Sequence, residues 1–264
     1  MKRRMGMHHF ITGIMLVYLL LPLLATLLFA LASKWSVTLL PESFTLRWFA
    51  ELFQDKRFFL AMGRTVLIIV LSVALGIAVM VPTVFIVSVY FPRSERFLQA
   101  VAMLPFGIPP VVAAVGLLRM YAGGPLPLAG TPWILIFTYF VATLPFMYQG
   151  IRNSLRTVNA IELVHAAELL GANKWTAFRK VVLPGIAPGI LVAVLLSVAM
   201  LFGEFALANL LVGGRFETLQ IYLYQKINKS GHLGSAIVVT YYLLIVLITW
   251  ALLKTGKSGH LSRR

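Results

Sequence analysis

The sequence predicts an all-α, polytopic membrane protein with six transmembrane helices. Three observations carry that reading. The 264 residues are 60% hydrophobic with a mean hydropathy of +0.91, well above the roughly 45–50% apolar content of soluble domains. The apolar residues fall in runs long enough to cross a bilayer, which takes about 20 residues. Lys and Arg gather at the ends of those runs. A net charge of +15 would suggest nucleic acid on a soluble protein, but here cytoplasmic anchoring accounts for it and no nucleic-acid partner is expected. The chain has no Cys, which removes disulfides, thiolate metal sites and thiol catalysis. The His residues at 8, 9, 165, 232 and 260 lack metal-ligand spacing, and the adjacent pair His8-His9 reads as interfacial.

The first span is expected from about Phe10 to Leu31, after Lys2, Arg3 and Arg4. It is too long for a signal peptide and has no small-residue cleavage site. Residues 32–63 read as an external loop with a short amphipathic helix near Leu46 to Phe53. The second span, about Arg64 to Tyr90, contains Pro82 and is expected to kink there. Pro92, Arg93, Glu95 and Arg96 make a short inside turn. The third span, about Phe97 to Tyr121, is interrupted by Gly107 and by Pro105, Pro109 and Pro110. Each interior Pro costs a helix about 3 kcal/mol, and irregular backbone at membrane depth survives only inside protein or beside a water-filled cavity. A bent helix lining a pathway and a kink used for packing both fit. Residues 122–131 form an outer loop, and the fourth span runs from Pro132 to about Gly150.

Arg152, Arg156, Lys174, Arg179 and Lys180 place the next stretch inside. The fifth span is expected from about Ile186 to Leu211, an external loop over 212–234, and the sixth span from about Ser235 to Leu253. Lys254, Lys257, Arg263 and Arg264 then end the chain inside, so both termini are expected in the cytoplasm.

No phosphate-binding glycine loop, nucleophile elbow or zinc-binding helix motif occurs, and no clustered carboxylate pair is present. An enzyme reading has no support, and the chain is expected to bind no cofactor or metal itself.

The most informative stretch is Asn159 to Gly189. Asn159 and Glu162 have capping-box spacing, and helix formers run from Ile161 to Leu170. Gly171 suits a left-handed C-terminal position. A second helix is expected from Asn173 to Leu183, with Pro184 and Pro188 marking its boundary. His165-Ala166-Ala167, then Gly171, Phe178 and Leu183-Pro184, resembles the "EAA" loop of the permease subunits of binding-protein-dependent ABC importers, with His165 where that family usually has Glu. The resemblance implies a type I (MetI-like) permease architecture in which the whole chain, 1–264, is one transmembrane domain. Residues 159–184 within it would form a cytoplasmic coupling loop. It implies that His165, Ala166, Ala167, Leu170, Gly171, Trp175 and Phe178 dock on a separate ATP-binding subunit, which carries ATP and Mg. An apolar face of Ala166, Ala167, Leu170, Trp175, Phe178 and Val182 suits helix-in-groove docking, and packing of that face beneath the chain's own helices is the alternative.

Glu204 is the one acid expected inside a span. An ionised carboxylate facing lipid is costly, so it either lines the pathway or pairs with Arg64 or Arg119. Tyr139, Phe140 and Tyr148 on the fourth span, with Met200 and Phe202 on the fifth, are further candidates to line a cavity. The segment 210–222, LLVGGRFETLQIY, resembles permeases for polyamines, iron(III) and phosphonates such as 2-aminoethylphosphonate. Leu40-Pro41 with 43–46, and Gly124-Pro125-Leu126 before Gly130-Thr131, add to that likeness. The family implies a second permease, homologous or identical, an extracytoplasmic substrate-binding protein, and residence in the inner membrane. A gradient-driven secondary transporter is the competing class, and Glu204 is the one residue that suits it.

Overall fold

The computed structural model describes residues 2–36, 38, 40–123 and 125–261. Gly124, Arg263 and Arg264 lie outside the described residues, as do the side chains of Lys2, Arg3, Arg4, His8, Lys257 and His260. The chain is helical: α1 (Lys2–Leu31), α2 (Arg47–Gln54), α3 (Lys56–Tyr90), α4 (Glu95–Gly107), α5 (Pro110–Tyr121), α6 (Pro132–Thr157), α7 (Ala160–Leu169), α8 (Lys174–Thr176), α9 (Leu183–Phe202), α10 (Ala206–Leu211), α11 (Leu219–Ile227) and α12 (Gly231–Leu261). Among the described residues the only extended pairing is one antiparallel bridge, Ala32 with Phe44. Among the described residues five helices are long and apolar enough to span a membrane, and the α4–α5 pair makes a sixth if it counts as one bent span.

That bend measures 98°, and its cause is local. A residue before Pro is pushed out of the helical region. Ile108 precedes Pro109 and is extended, and Pro109 precedes Pro110 with φ −58° and ψ 134°. The helix restarts with Pro110 at its first position, where a missing amide hydrogen costs nothing. Pro105 and Pro82 stay inside α4 and α3.

The chain forms two compact units, residues 1–60 with 222–247 and residues 61–221 with 248–264. In the first, the end of α1, the bridge and α2 are knotted by side chains. His232 stacks between Phe29 and Trp48, with ring centroids 4.1 and 5.5 Å away, and its Nδ1 meets the Phe29 carbonyl at 2.8 Å. The Trp48 indole donates to the Ala32 carbonyl. Asp55, between α2 and α3, accepts from the Arg57 amide, the Tyr222 hydroxyl and the Lys226 ammonium at 2.9, 2.8 and 2.7 Å. The expected amphipathic helix is α2, but α3 begins at Lys56, eight residues before the expected start at Arg64, because Asp55 caps it.

In the second unit the most extensive helix pair is α6 with α9. Small residues four apart on each helix, Gly150 and Ser154 against Gly189 and Ala193, let the backbones meet. A Cβ on Gly189 would lie 2.3 Å from that of Ser154, and one on Gly150 2.7 Å from that of Ala193. The fifth span differs from expectation at both ends. It stops at Phe202 instead of Leu211, and at its N-terminal end it runs back without a break to Lys174. The segment expected as an external loop over 212–234 is also corrected: Thr218, Leu219, Gln220 and Ile221 are buried. The Leu219 amide donates to Thr65 Oγ1, and the Gln220 amide group donates to the carbonyl of Phe202 at 2.7 Å. That bond supplies the end of α9 with a partner that water cannot supply within an apolar protein.

Burial pushes the Asp55 carboxyl up, but the hydrogen bonds from Lys226, Tyr222 and the Arg57 amide, with the Lys226 charge, hold it below the ordinary aspartate range. A depressed carboxyl contributes stability that is present at neutral pH and lost as pH falls through its lowered value. Asp55→Asn is therefore expected to lower the thermal midpoint in detergent at pH 7, with the gap to wild type narrowing at pH 3.

Candidate functional site

The stretch between α6 and α9 is built from three backbone devices. At the first corner Asn159 has φ 49° and ψ 53°, the one non-glycine residue with positive φ among the described residues. Its amide donates to the Arg156 carbonyl at 3.1 Å, so it terminates α6 as Gly often does. The expected capping box with Glu162 does not form. A capping Asn needs an extended backbone to aim its oxygen at the next amides, and the left-handed Asn159 makes no such bond.

At the second corner Gly171 has φ +82°. Its amide donates to the Glu168 carbonyl at 2.9 Å, and that of Ala172 to Ala167 at 3.0 Å, the paired bonds of a Schellman ending. Asn173 then caps the next helix by accepting from the Thr176 amide at 2.8 Å. The third device is a π-helical stretch, Ala177–Val182, which joins α8 to α9. The Leu183 amide reaches back five residues to the Phe178 carbonyl. This wider turn carries the helix past Pro184, which has no amide hydrogen to give. Pro184 and Pro188 therefore lie within a continuous helical run and do not bound a separate helix.

The residues singled out on this stretch fall into two sets. Ala167, Phe178 and Val182 are buried, with the Phe178 ring 4.5 Å from that of Phe85 on α3. His165, Ala166, Leu170, Gly171 and Trp175 are exposed. Leu169 is missing from the sequence-derived set, yet it is 89% exposed, beside Leu170 at 88% and Trp175 at 63%. Its place beside the left-handed Gly171 was the available signal. The Lys174 ammonium lies 4.7 Å from the Tyr90 ring centroid, a cation–π contact that ties the corner to the end of α3.

Glu204 lies in the break between α9 and α10, not on the fifth helix. Its carboxylate accepts from the Leu207 and Ala208 amides at 2.8 and 3.1 Å and from the Tyr139 hydroxyl at 3.1 Å. It makes no ion pair among the described residues. The Arg64 guanidinium instead lies over the Phe216 ring at 5.1 Å, and Arg119 is exposed. Glu204 thus satisfies the start of α10, an acid at the positive end of a helix. Tyr139 and Tyr148 are buried, and Met200 is half-buried. Phe202 is buried at the end of α9. No group of side chains among the described residues could hold a metal ion.

The family described as "Binding-protein-dependent transport system inner membrane component" matches residues 81–254. The chain belongs to that family. It is a permease subunit of a binding-protein-dependent ABC importer and an integral membrane protein. A putative 2-aminoethylphosphonate transport system permease protein of Salmonella typhimurium is 25% identical over 94% of this permease and 91% of its own length. A sulfate transport system permease protein of Synechocystis is 30% identical over 80% and 82%. A crystal structure of a bacterial ABC transporter that imports the acidic polysaccharide alginate superposes with a TM-score of 0.71 at 18% identity, covering 96% of each chain. A methionine ABC transporter in inward-facing form gives 0.64 at 19% identity, over 75% of this chain and 94% of its own. These two establish the fold, which is the MetI-like architecture expected.

In the permease, Glu204→Ala is expected to cost about 1–2 kcal/mol, the size of a lost helix cap, and Glu204→Gln less, because one oxygen still accepts. Thermal unfolding in detergent, read beside Tyr139→Phe, checks the order.

Proposed function

We propose that this permease forms half of the transmembrane pathway of an importer for a small phosphonate of the 2-aminoethylphosphonate class, and that residues 159–184 are its coupling loop. The carrying observation is the corner of Leu169, Leu170 and Trp175, three exposed large apolar side chains at a backbone turn fixed by the Gly171 ending. Isolated exposed apolar residues are ordinary, but a rigid cluster marks a docking surface. The occupant we assign is the groove of a separate ATP-binding subunit, which holds ATP and Mg. His165 and Ala166 flank the contact, while Ala167 and Phe178 hold the corner to the membrane helices. Motion of the ATPase then passes through Phe178 and Phe85 to α3 and through the continuous helix to α9. Coupling of this kind needs two states that ligands at opposite faces bias differently.

The remaining half of the pathway comes from a second permease, homologous or identical, and substrate arrives on an extracytoplasmic binding protein. One solved relative is a transporter in complex with an alginate-bound periplasmic protein. Both termini lie in the cytoplasm on this reading. The bent α4–α5 span lines the pathway, and Met200 and Glu204, which keep exposed surface, are the candidates to meet substrate there. Tyr139 positions Glu204, and Tyr148 supports the span from within. The phosphonate assignment rests on the Salmonella relatives, with sulfate, polyamine and iron(III) as the alternatives.

Leu170→Asp is expected to abolish copurification of the ATP-binding subunit from native membranes while the second permease is retained. Undiminished recovery of the ATPase would contradict the coupling-loop assignment. Uptake by cells expressing the complete system is expected to be competed by 2-aminoethylphosphonate and not by sulfate or spermidine, and the reverse order would replace the substrate class.

A further inference from the structure

Four aromatic rings run in an unbroken chain of contacts from the Gly171 corner to the end of α3. Between ring centroids, Trp175 lies 5.6 Å from Phe178, Phe178 4.5 Å from Phe85, and Phe85 5.9 Å from Tyr90, within the roughly 4.5–7 Å over which aromatic pairs attract. Phe178 and Phe85 are buried, while Trp175 is exposed at the corner. Lys174 closes the chain into a circuit, its ammonium 4.7 Å from the centre of the Tyr90 ring. Successive residues on a helix point about 100° apart, so Lys174 and Trp175 reach α3 by separate routes. The Tyr90 hydroxyl is enclosed and has no hydrogen-bond partner among the described residues. The ring face, not the hydroxyl, makes the contact with Lys174.

Tyr90 is the last residue of α3, and the other end of the same helix is tied to the segment that follows α9. Thr65, roughly 40 Å away along the helix axis, accepts from the Leu219 amide at 2.8 Å, and Gln220 beside it holds the Phe202 carbonyl. Between these ends α3 packs closely on α6. Ser72 Oγ donates to the Ile136 carbonyl at 3.1 Å, and a Cβ on Gly76 would lie 3.4 Å from Met147. One unbroken helix thus leads from the Gly171 corner to the break that holds Glu204.

On the coupling-loop reading, from which this inference starts, we propose that Tyr90 is the residue through which α3 receives the motion of the ATP-binding subunit, with Lys174 as its partner. A displacement of the Gly171 corner pulls on the end of α3 through the cation–π contact, and the helix carries it to Thr65 and Leu219. Tyr90 is half-buried on α3 and Lys174 is turned toward it, so the pair positions α3 against the corner and lies outside the docking face.

The test uses the assembled transporter in proteoliposomes and its binding protein purified with bound ligand. It reads the factor by which that protein stimulates ATP hydrolysis, per ATP-binding subunit recovered with the permease. Tyr90→Leu and Lys174→Gln are each expected to lower the factor about two- to fivefold, the weight of one cation–π contact. The double variant is expected to lose no more than either single one, because each substitution alone removes the contact. Tyr90→Phe, which keeps the ring, and Lys174→Arg, which keeps the cation, are expected to restore the factor. Lys174 is exposed, so Lys174→Gln carries the test should Tyr90→Leu fail to assemble. A lowered thermal midpoint with an unchanged factor would make the contact merely structural and overturn the proposal. So would losses that add in the double variant, a Tyr90→Phe as impaired as Tyr90→Leu, or a loss confined to the amount of ATPase recovered. Failure of the wild-type permease to recover any ATPase would instead overturn the coupling-loop reading, and this inference with it.

Discussion

A backbone amide or carbonyl with no water near it must find its partner inside the protein, and the break after α9 is arranged around such partners. The carbonyl of Phe202 ends α9 and is met by the side chain of Gln220. The first amides of α10 are met by Glu204, and the Leu219 amide by Thr65. At the corners of the stretch between α6 and α9 the same need is met by left-handed residues, Asn159 and Gly171, which turn the chain so that main-chain groups satisfy one another. The segment 203–221, which lacks any long helix, is tied to α3, α6 and α9 through Thr65, Tyr139 and the Phe202 carbonyl.

The consequence for mechanism is that the loop between α6 and α9 is a stiff element. Phe178 is buried against Phe85, and the π-helical turn keeps the loop's second helix continuous with the membrane helix. A push on Leu169, Leu170 and Trp175 therefore has no flexible joint in which to dissipate before α9. The close approach of Gly150 and Gly189 passes it to α6, since helices in backbone contact move together.

Much of this was legible in the sequence where it rests on chain-local rules. The apolar runs gave the spans, Gly171 marked the end of α7, and the run of prolines at 105, 109 and 110 predicted the bend between α4 and α5. What escaped is non-local or subtle. Asn159 was expected to cap the helix after it because Asn does so commonly, yet it closes the helix before it, which spacing alone does not distinguish. Pro184 and Pro188 read as a boundary because the π-helical turn that accommodates them has no simple sequence signature. The role of Glu204 depended on where α9 ends, and Gln220, eighteen residues away from Phe202, fixes that point. Residues 212–221 looked like a surface loop because polar residues that are satisfied inside a protein are indistinguishable in sequence from polar residues that face water.

The central claim is that the Gly171 corner is the face covered by an ATP-binding subunit. The chain has no Cys of its own, so single substitutions can be labelled without background. The most direct measurement compares the reactivity of Leu169→Cys and Ser36→Cys toward a membrane-impermeant maleimide in inside-out vesicles of the assembled transporter, before and after the ATPase is stripped. The account predicts that the cysteine at 169 is protected in the complex and becomes reactive on stripping, while that at 36 remains unlabelled throughout. Equal labelling at 169 before and after stripping would contradict it.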